Sequence, residues 1–388
     1  NYLKTALRGF LRQKSYTLIN IAGLSVGLAC SFLILLWVVD ELSVNQFHDD
    51  GRLISQVMRN HRSSTRIHTW GSLPKPTADV IDAEIPEITN TVLFSWTRYH
   101  VFHKPDGETF RRRGFFTSDD FFQVFTFPLL YGTPETALNA PDAIAISSDL
   151  AEEIFGSDWE DKGVIGQSVS IGKWRDFTVR AVFAYPPRQS SFRFHYLLNV
   201  AVDLEERPSL EKWGNSSLRL FVRRQAGTDP DKVEAAIRNI VADHQDQKRS
   251  VLWLHPLEDL YLYSQYQNGV VTGGRIDYVR IFAVVSLLIL LIAGINYTNL
   301  ATARSATRAQ EIGVRKAVGA NRATLIGQFM GESFLLTLGA GVVAIGLILI
   351  AIPYFNDVVR KELSFSLLDI PALSAFVGVC LLGGLCGG

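Results

Sequence analysis

The 388-residue chain balances 38 Lys and Arg against 38 Asp and Glu. The bases of its central region, Arg111 to Arg113 among them, are interleaved with acids, which excludes a stripe for nucleic acid. All 3 cysteines (Cys30, Cys380 and Cys386) fall inside apolar runs, so the polar part has no disulfide framework and no cysteine zinc site. With 47% apolar residues the average matches a water-soluble protein, but it hides two regimes: runs long enough to cross a membrane, and a water-soluble stretch richer in acids than in bases. A chain that opens at Asn1 and stops inside an apolar run at Gly388 reads as a fragment of a longer protein.

Residues 1–14 place Leu3, Ala6, Leu7, Phe10 and Leu11 on one helical face and Lys4, Arg8 and Arg12 on the other, the pattern of an amphipathic helix lying in a membrane surface. Residues 18–39 then form an apolar run long enough to span, since about 20 residues suffice. It ends WVVDEL without a small-residue cleavage site, which argues against a signal peptide. Bases without acids precede it, so the N-terminus is expected in the cytoplasm. Gly23, Gly27 and Ser31, every fourth residue, offer a face for close helix packing.

Residues 44–274 read as a mixed α/β domain on the outer side. Strands are expected at 53–58, 91–96, 142–146, 169–171, 177–183, 218–223 and 251–255, with a hairpin of 99–102 and 109–115 across Asp106-Gly107. Helices are expected at 75–83, at 148–155 ending at Gly156, and at 231–243. The strand-helix-strand rhythm of the two ends encloses a strand-rich middle.

A second span is expected at 278–303, with Asn296, Thr298, Asn299 and Thr302 at its inner end. The loop 304–322 carries Arg304, Arg308, Arg315, Lys316 and Arg322 against Glu311 alone, so it belongs in the cytoplasm. Glu311 stands four residues before Arg315, the favourable order for a helical ion pair, and Gly319 is a plausible stop. A third span is expected at 324–352, ended by Pro353, with Gln328 and Glu332 one turn apart as intramembrane polar candidates. After a short outer loop, 370–388 begins a fourth span that is cut off.

EIGVRKAVGA at 311–320 and GQFMGESFLL at 327–336 resemble the FtsX-like (MacB-like) permeases of ATP-binding cassette systems. TSDDFFQVFTFPLLYG at 117–132, AISSDLAEEIFG at 145–156, VIGQSVSI and FTVRAVFAYPP resemble the extracytoplasmic domain of the same permeases. The resemblance implies an α+β membrane protein of four transmembrane helices, the last truncated. A large mixed α/β extracytoplasmic domain lies between helices 1 and 2, made of two subdomains, one inserted in the other. It also implies that 304–322 is a coupling helix docking on a separate ATPase, with Arg308, Glu311, Ile312, Gly313, Arg315, Lys316, Val318 and Gly319 as the contact set.

GQSVSIGKW at 166–174 lacks phosphate-loop spacing, so ATP hydrolysis is expected on a partner. His100 and His103 point to opposite faces of a strand, no H-E-x-x-H exists, and no G-x-S-x-G nucleophile turn appears. The chain is therefore expected to be a non-enzymatic permease subunit without cofactor or metal, in the bacterial cytoplasmic (inner) membrane. Its expected partners are a cytoplasmic ATPase subunit, a second permease half or homodimer, a periplasmic adaptor and membrane lipid. The alternative is a membrane receptor whose outer domain binds a ligand.

Overall fold

The computed structural model describes residues 14–104, 106–245, 249–303, 314, 321–365, 373–374, 376–378 and 380. The chain divides into an α/β unit, Ser43–Ile276, and a helical unit made of Asn1–Leu42 with Asp277–Gly388.

In chain order the elements are α1 (Lys14–Leu42), β1 (Ile54–Arg62), β2 (Ile67–Trp70), α2 (Pro76–Glu84), β3 (Ile88–Phe94), β4 (Arg98–His103), β5 (Thr109–Thr117) and α3 (Phe121–Val124). There follow β6 (Leu129–Tyr131), β7 (Ala143–Ser147), α4 (Ser148–Phe155), β8 (Ser168–Ile171), β9 (Arg175–Phe183), β10 (Tyr196–Asn199), α5 (Val200–Glu206) and β11 (Arg219–Arg224). The last are α6 (Pro230–Ile237), α7 (Ile240–Asp243), β12 (Ser250–Pro256), β13 (Gln265–Gln267), β14 (Val270–Gly273), α8 (Arg275–Ala303) and α9 (Arg322–Val359).

The α/β unit is built on a 12-stranded sheet of order β12-β1-β11-β3-β5-β10-β7-β9-β6, with β2, β4 and β8 added at its margins. Strands from 54–94 and 219–256 make one end and strands from 98–199 the other. The β5–β10 and β7–β9 pairs are parallel, and the other pairs are antiparallel.

Alternation of side chains along each strand sends one set to each face. Val57, Leu93, Phe116, Leu198 and Leu220 share a core with the apolar stripes of α2, α4, α5, α6 and α7. Ile54, Phe94, Phe115, Leu197 and Phe221 point the other way, into a core built largely of phenylalanines from α3 and from 125–127 and 192–194. Such rings prefer edge-to-face and offset contacts, and Phe94 makes these with Phe115, Phe121, Phe125 and Phe221 at centroid distances of 4.9–6.1 Å.

Local chemistry explains several boundaries. The α4 helix begins where Ser147 Oγ accepts the Leu150 N–H, at 3.2 Å. Asp229 caps α6 in the same way, ahead of Pro230. Gly114 sits where β5 meets Tyr196: a Cβ there would lie 2.4 Å from the Tyr196 carbonyl and 2.5 Å from its ring. The expected helix 231–243 is two pieces, α6 and α7, separated at Arg238-Asn239.

Among the described residues three helices are long and apolar enough to cross a membrane: Thr17–Leu42, Arg275–Leu300 and Ser333–Val359. The third continues through Pro353 to Val359 instead of stopping before it. Proline removes one backbone hydrogen bond and crowds the carbonyl four residues back, a cost that membrane-spanning helices tolerate where the freed group is satisfied locally.

Candidate functional site

Within the helical unit α1 is the central element. Its apolar window is 56% buried, against 17% for the span on α8 and 33% for the span on α9. Large apolar side chains on the other two helices, such as Ile281, Leu288, Ile292, Val342 and Ile350, are exposed, a surface suited to lipid.

The seam between α1 and α8 is built from small residues. A Cβ at Gly27 would lie 2.5 Å from Ala293 Cβ, a distance real side chains do not reach. One turn earlier, a Cβ at Gly23 would stand 3.3 Å from Asn296 Nδ2. One turn later, the Ser31 and Ser286 hydroxyls lie 2.8 Å apart, and each hydroxyl also reaches the other residue's carbonyl, at 3.1 Å and 3.0 Å. Glycine at the first two positions lets the backbones close to a distance at which the serine pair can form, and in an apolar medium such small-residue contacts replace hydrophobic burial as the adhesive. Asn20, 3% exposed, lies one turn before Gly23 with neither side-chain polar atom hydrogen-bonded.

The same helix ends in a charged clamp. Asp40 and Glu41 occupy the last turn of α1, where the helix dipole disfavours negative charge. Lys361 Nζ meets both, lying 2.9 Å from Glu41 Oε1 and forming an ion pair with Asp40. Glu41 is fully buried, and Lys361 retains only 17% exposure. The turn that presents Lys361 is braced by Asn356, whose amide donates to the Leu363 carbonyl and accepts the Leu363 N–H, at 2.9 Å and 3.0 Å. Without Lys361 two acids would remain at a buried helix end, a loss of about 3 kcal/mol or more for a broken buried pair.

Next to Ser31, Phe32 packs edge-on against Phe365 and Phe376, at 5.3 Å and 5.1 Å. Ala340, Ala344 and Ile348 of α9 complete that core.

Of the residues singled out from sequence, Asn296 and Asn299 lie on α8 and are exposed, with Asn296 at the glycine seam. Gln328 and Glu332 fall on α9. Arg308, Glu311, Ile312, Gly313, Arg315, Lys316, Val318 and Gly319 lie outside the described residues, as do 1–13 and most of 370–388. The clamp of Asp40, Glu41 and Lys361 and the role of Ser286 escaped the sequence reading. Two acids closing a helix, against the sense of its dipole, were the available signal for the clamp. Among the described residues no group of three or more His, Cys, Asp and Glu side chains is placed to hold a metal ion.

Two family models match the chain: the MacB-like periplasmic core domain over residues 17–240, and the FtsX-like permease C-terminal over residues 283–387. Among curated proteins, the macrolide export ATP-binding/permease protein MacB of Salmonella paratyphi A is 23% identical over 238 residues, covering 59% of this chain and 34% of that protein. The ABC transporter permease YknZ of Bacillus subtilis is 33% identical over 95 residues, 24% of each chain. The chain thus spans about a third or less of the length of these relatives. Among solved structures, a domain of a putative permease protein from Porphyromonas gingivalis aligns with 60% of this chain and 99% of its own, at 21% identity and a TM-score of 0.45.

Proposed function

Since the chain belongs to the FtsX-like family of ABC transporter permeases with a MacB-like periplasmic core domain, we propose that it converts ATP hydrolysis on a separate cytoplasmic subunit into movement of its α/β unit. In this reading the protein sits in the bacterial cytoplasmic membrane with its N-terminus inside. Residues 44–274, organised as two subdomains with one inserted in the other, stand outside, and 370–388 begins a fourth span. The segment 304–322 is the coupling helix: Ile312 and Val318 supply an apolar contact to the ATPase, Gly313 and Gly319 admit it closely, and Arg308, Glu311, Arg315 and Lys316 orient it. A second permease half or a second copy completes the membrane part, and a periplasmic adaptor joins it outside.

The observation that best supports this reading is the seam of Gly23, Gly27 and Ser31 against α8. The α8 helix runs in sequence directly into 304–322, so a displacement of that segment is delivered to a helix whose contact with α1 around Gly27 and Ser31 is made by small side chains with little capacity to absorb it. Small-residue contacts of this kind slide or separate; they do not compress.

The test uses the full-length protein with its ATPase partner. Ile312→Asp and Gly313→Trp are expected to keep expression and folding but to lose co-purification with the ATPase. Gly27→Leu is expected to keep co-purification and to lose stimulation of hydrolysis. If the loop variants still bind and stimulate like the parent, 304–322 only sets topology and the proposal fails.

A further inference from the structure

The phenylalanine face of the α/β unit opens into a cleft of about 630 Å³, within the size range of small-molecule sites. Four arginines line it, Arg113, Arg193, Arg219 and Arg275, and no carboxylate does. They come from distant parts of the sequence: β5, the 188–194 segment, β11 and the start of α8. Only the fold gathers them.

Arg219 is the centre of the arrangement. Its guanidinium carbon lies 5.0 Å from the Phe94 ring centre, 5.3 Å from Trp96, 5.5 Å from Phe115 and 5.9 Å from Phe192. One Nη donates to the Ser95 carbonyl at 3.0 Å, while Nε is buried with no hydrogen-bond partner. Burial alone lowers the pKa of Arg219 to about 10, with no acid acting to raise it, so the group remains a cation at neutral pH.

Ring faces offset part of the cost of burying this charge, and one carbonyl offsets a little more. A counter-ion is missing, and a buried cation ordinarily has one. Arg193 is met in the same neutral fashion, donating to the carbonyls of Pro186 and Arg188 at 3.4 Å and 2.8 Å. The cleft is thus a cationic socket with aromatic walls, and Trp96, 53% exposed, stands at it with its ring open to solvent.

We infer that this cleft binds a small amphipathic anion, whose carboxylate or phosphate head sits on Arg219 and Arg113 and whose flat apolar body lies against Trp96 and Phe192. An oxyanion would accept charge-assisted hydrogen bonds from guanidiniums that line the cleft, Arg219 with its unpartnered Nε first among them, and the rings would shelter those bonds from water. The site does not depend on the coupling mechanism or on membrane orientation.

The test is calorimetric titration of the intact chain, held in discs of zwitterionic lipid, with 1-naphthoate, 1-naphthyl phosphate and the uncharged 1-naphthol. At least one anion is expected to bind about tenfold or more tightly than 1-naphthol, and the tighter of the two identifies the head group. Arg219→Gln is expected to remove that preference. Arg113→Gln, a half-buried strand position whose change should leave the fold intact, is expected to weaken the anion about tenfold while leaving 1-naphthol unchanged. Equal binding of all three probes by the parent, or parental affinity in folded Arg113→Gln and Arg219→Gln proteins, overturns the inference.

Discussion

Inside the α/β unit the sheet coheres through large rings, whereas inside the helical unit the α1–α8 seam coheres through small residues. Between the sheet and its second layer, the α/β unit crowds phenylalanines into mutual ring contacts, with Phe94, Phe121 and Phe125 fully buried. The helical unit does the reverse at α1 and α8: Gly27 faces Ala293 and Ser31 faces Ser286. In water, removing large apolar area from solvent supplies the driving force, so big rings are the effective material. In lipid the same rings would gain little by leaving the hydrocarbon, and close backbone approach with a few hydrogen bonds takes over. One chain therefore uses two adhesives, each suited to its solvent.

The comparison breaks first at Phe94. Phe94→Ala removes a ring that touches five others and leaves a cavity that its rigid neighbours fill poorly, at a cost of about 3–5 kcal/mol. Denaturant unfolding followed by near-ultraviolet circular dichroism should show the α/β unit losing most of its stability while the helices stay folded. A loss below about 1 kcal/mol would mean that the ring cluster is loosely packed and that the contrast with the helical unit is one of composition alone.

Much of this contrast was legible in the sequence, and the illegible part has a physical cause. Alternating apolar strands, the start of α4 at 148 and its end at Gly156, the apolar spans and the Gly23-Gly27-Ser31 spacing are short-range signals, set within a few residues. Strands β2, β6, β10, β13 and β14 were missed because each is short, of three or four residues, and owes its place to a partner strand already formed. The Lys361 clamp and the arginine cleft join positions far apart in sequence, such as 40 with 361 and 113 with 219, and no local spacing announces either. Pro353 misled in the other direction, because a helix-stop rule learned in water met a long apolar helix that runs on through the proline to Val359.

Acid should also separate the two units, because all 8 histidines lie between His48 and His255. His48 is packed among Phe47, Phe125 and Phe127, its Nδ1 accepts the Thr126 N–H, and burial lowers its pKa to about 4. Between pH 6.5 and 4 the unfolded chain therefore binds a proton at this residue that the folded chain refuses, and stability falls as pH drops through that window. At one decade per 1.36 kcal/mol the full loss is about 3 kcal/mol. Burial lowers the pKa of His100, His195 and His255 as well, so the measured slope of unfolding free energy against pH should exceed one proton. His48→Gln, which can still accept from Thr126, should flatten the slope by about one proton. An unchanged slope would place the acid sensitivity elsewhere and remove His48 from the account.

The smallest effect probes the second adhesive, at Ser31 and Ser286. Each hydroxyl has the other and the opposite carbonyl within reach, so Ser286→Ala deletes contacts on both sides of the seam without creating a clash. In water a buried, doubly bonded hydroxyl would be worth well over 1 kcal/mol. Within a membrane the separated helices can satisfy the same groups against their own backbones, so the coupling between two such side chains averages only about 0.6 kcal/mol. A double-mutant cycle of Ser31→Ala and Ser286→Ala, read as helix association or steric-trap unfolding in lipid discs, is expected to return a coupling of that order. Its value decides what the seam is made of. A coupling of about 2 kcal/mol would make the serine pair the principal adhesive and the glycines merely permissive. A value near 0.6 kcal/mol leaves most of the cohesion to the backbone contact that Gly27 allows against Ala293, so that α1 and α8 are joined by an arrangement weak in any single bond and intolerant of any added atom.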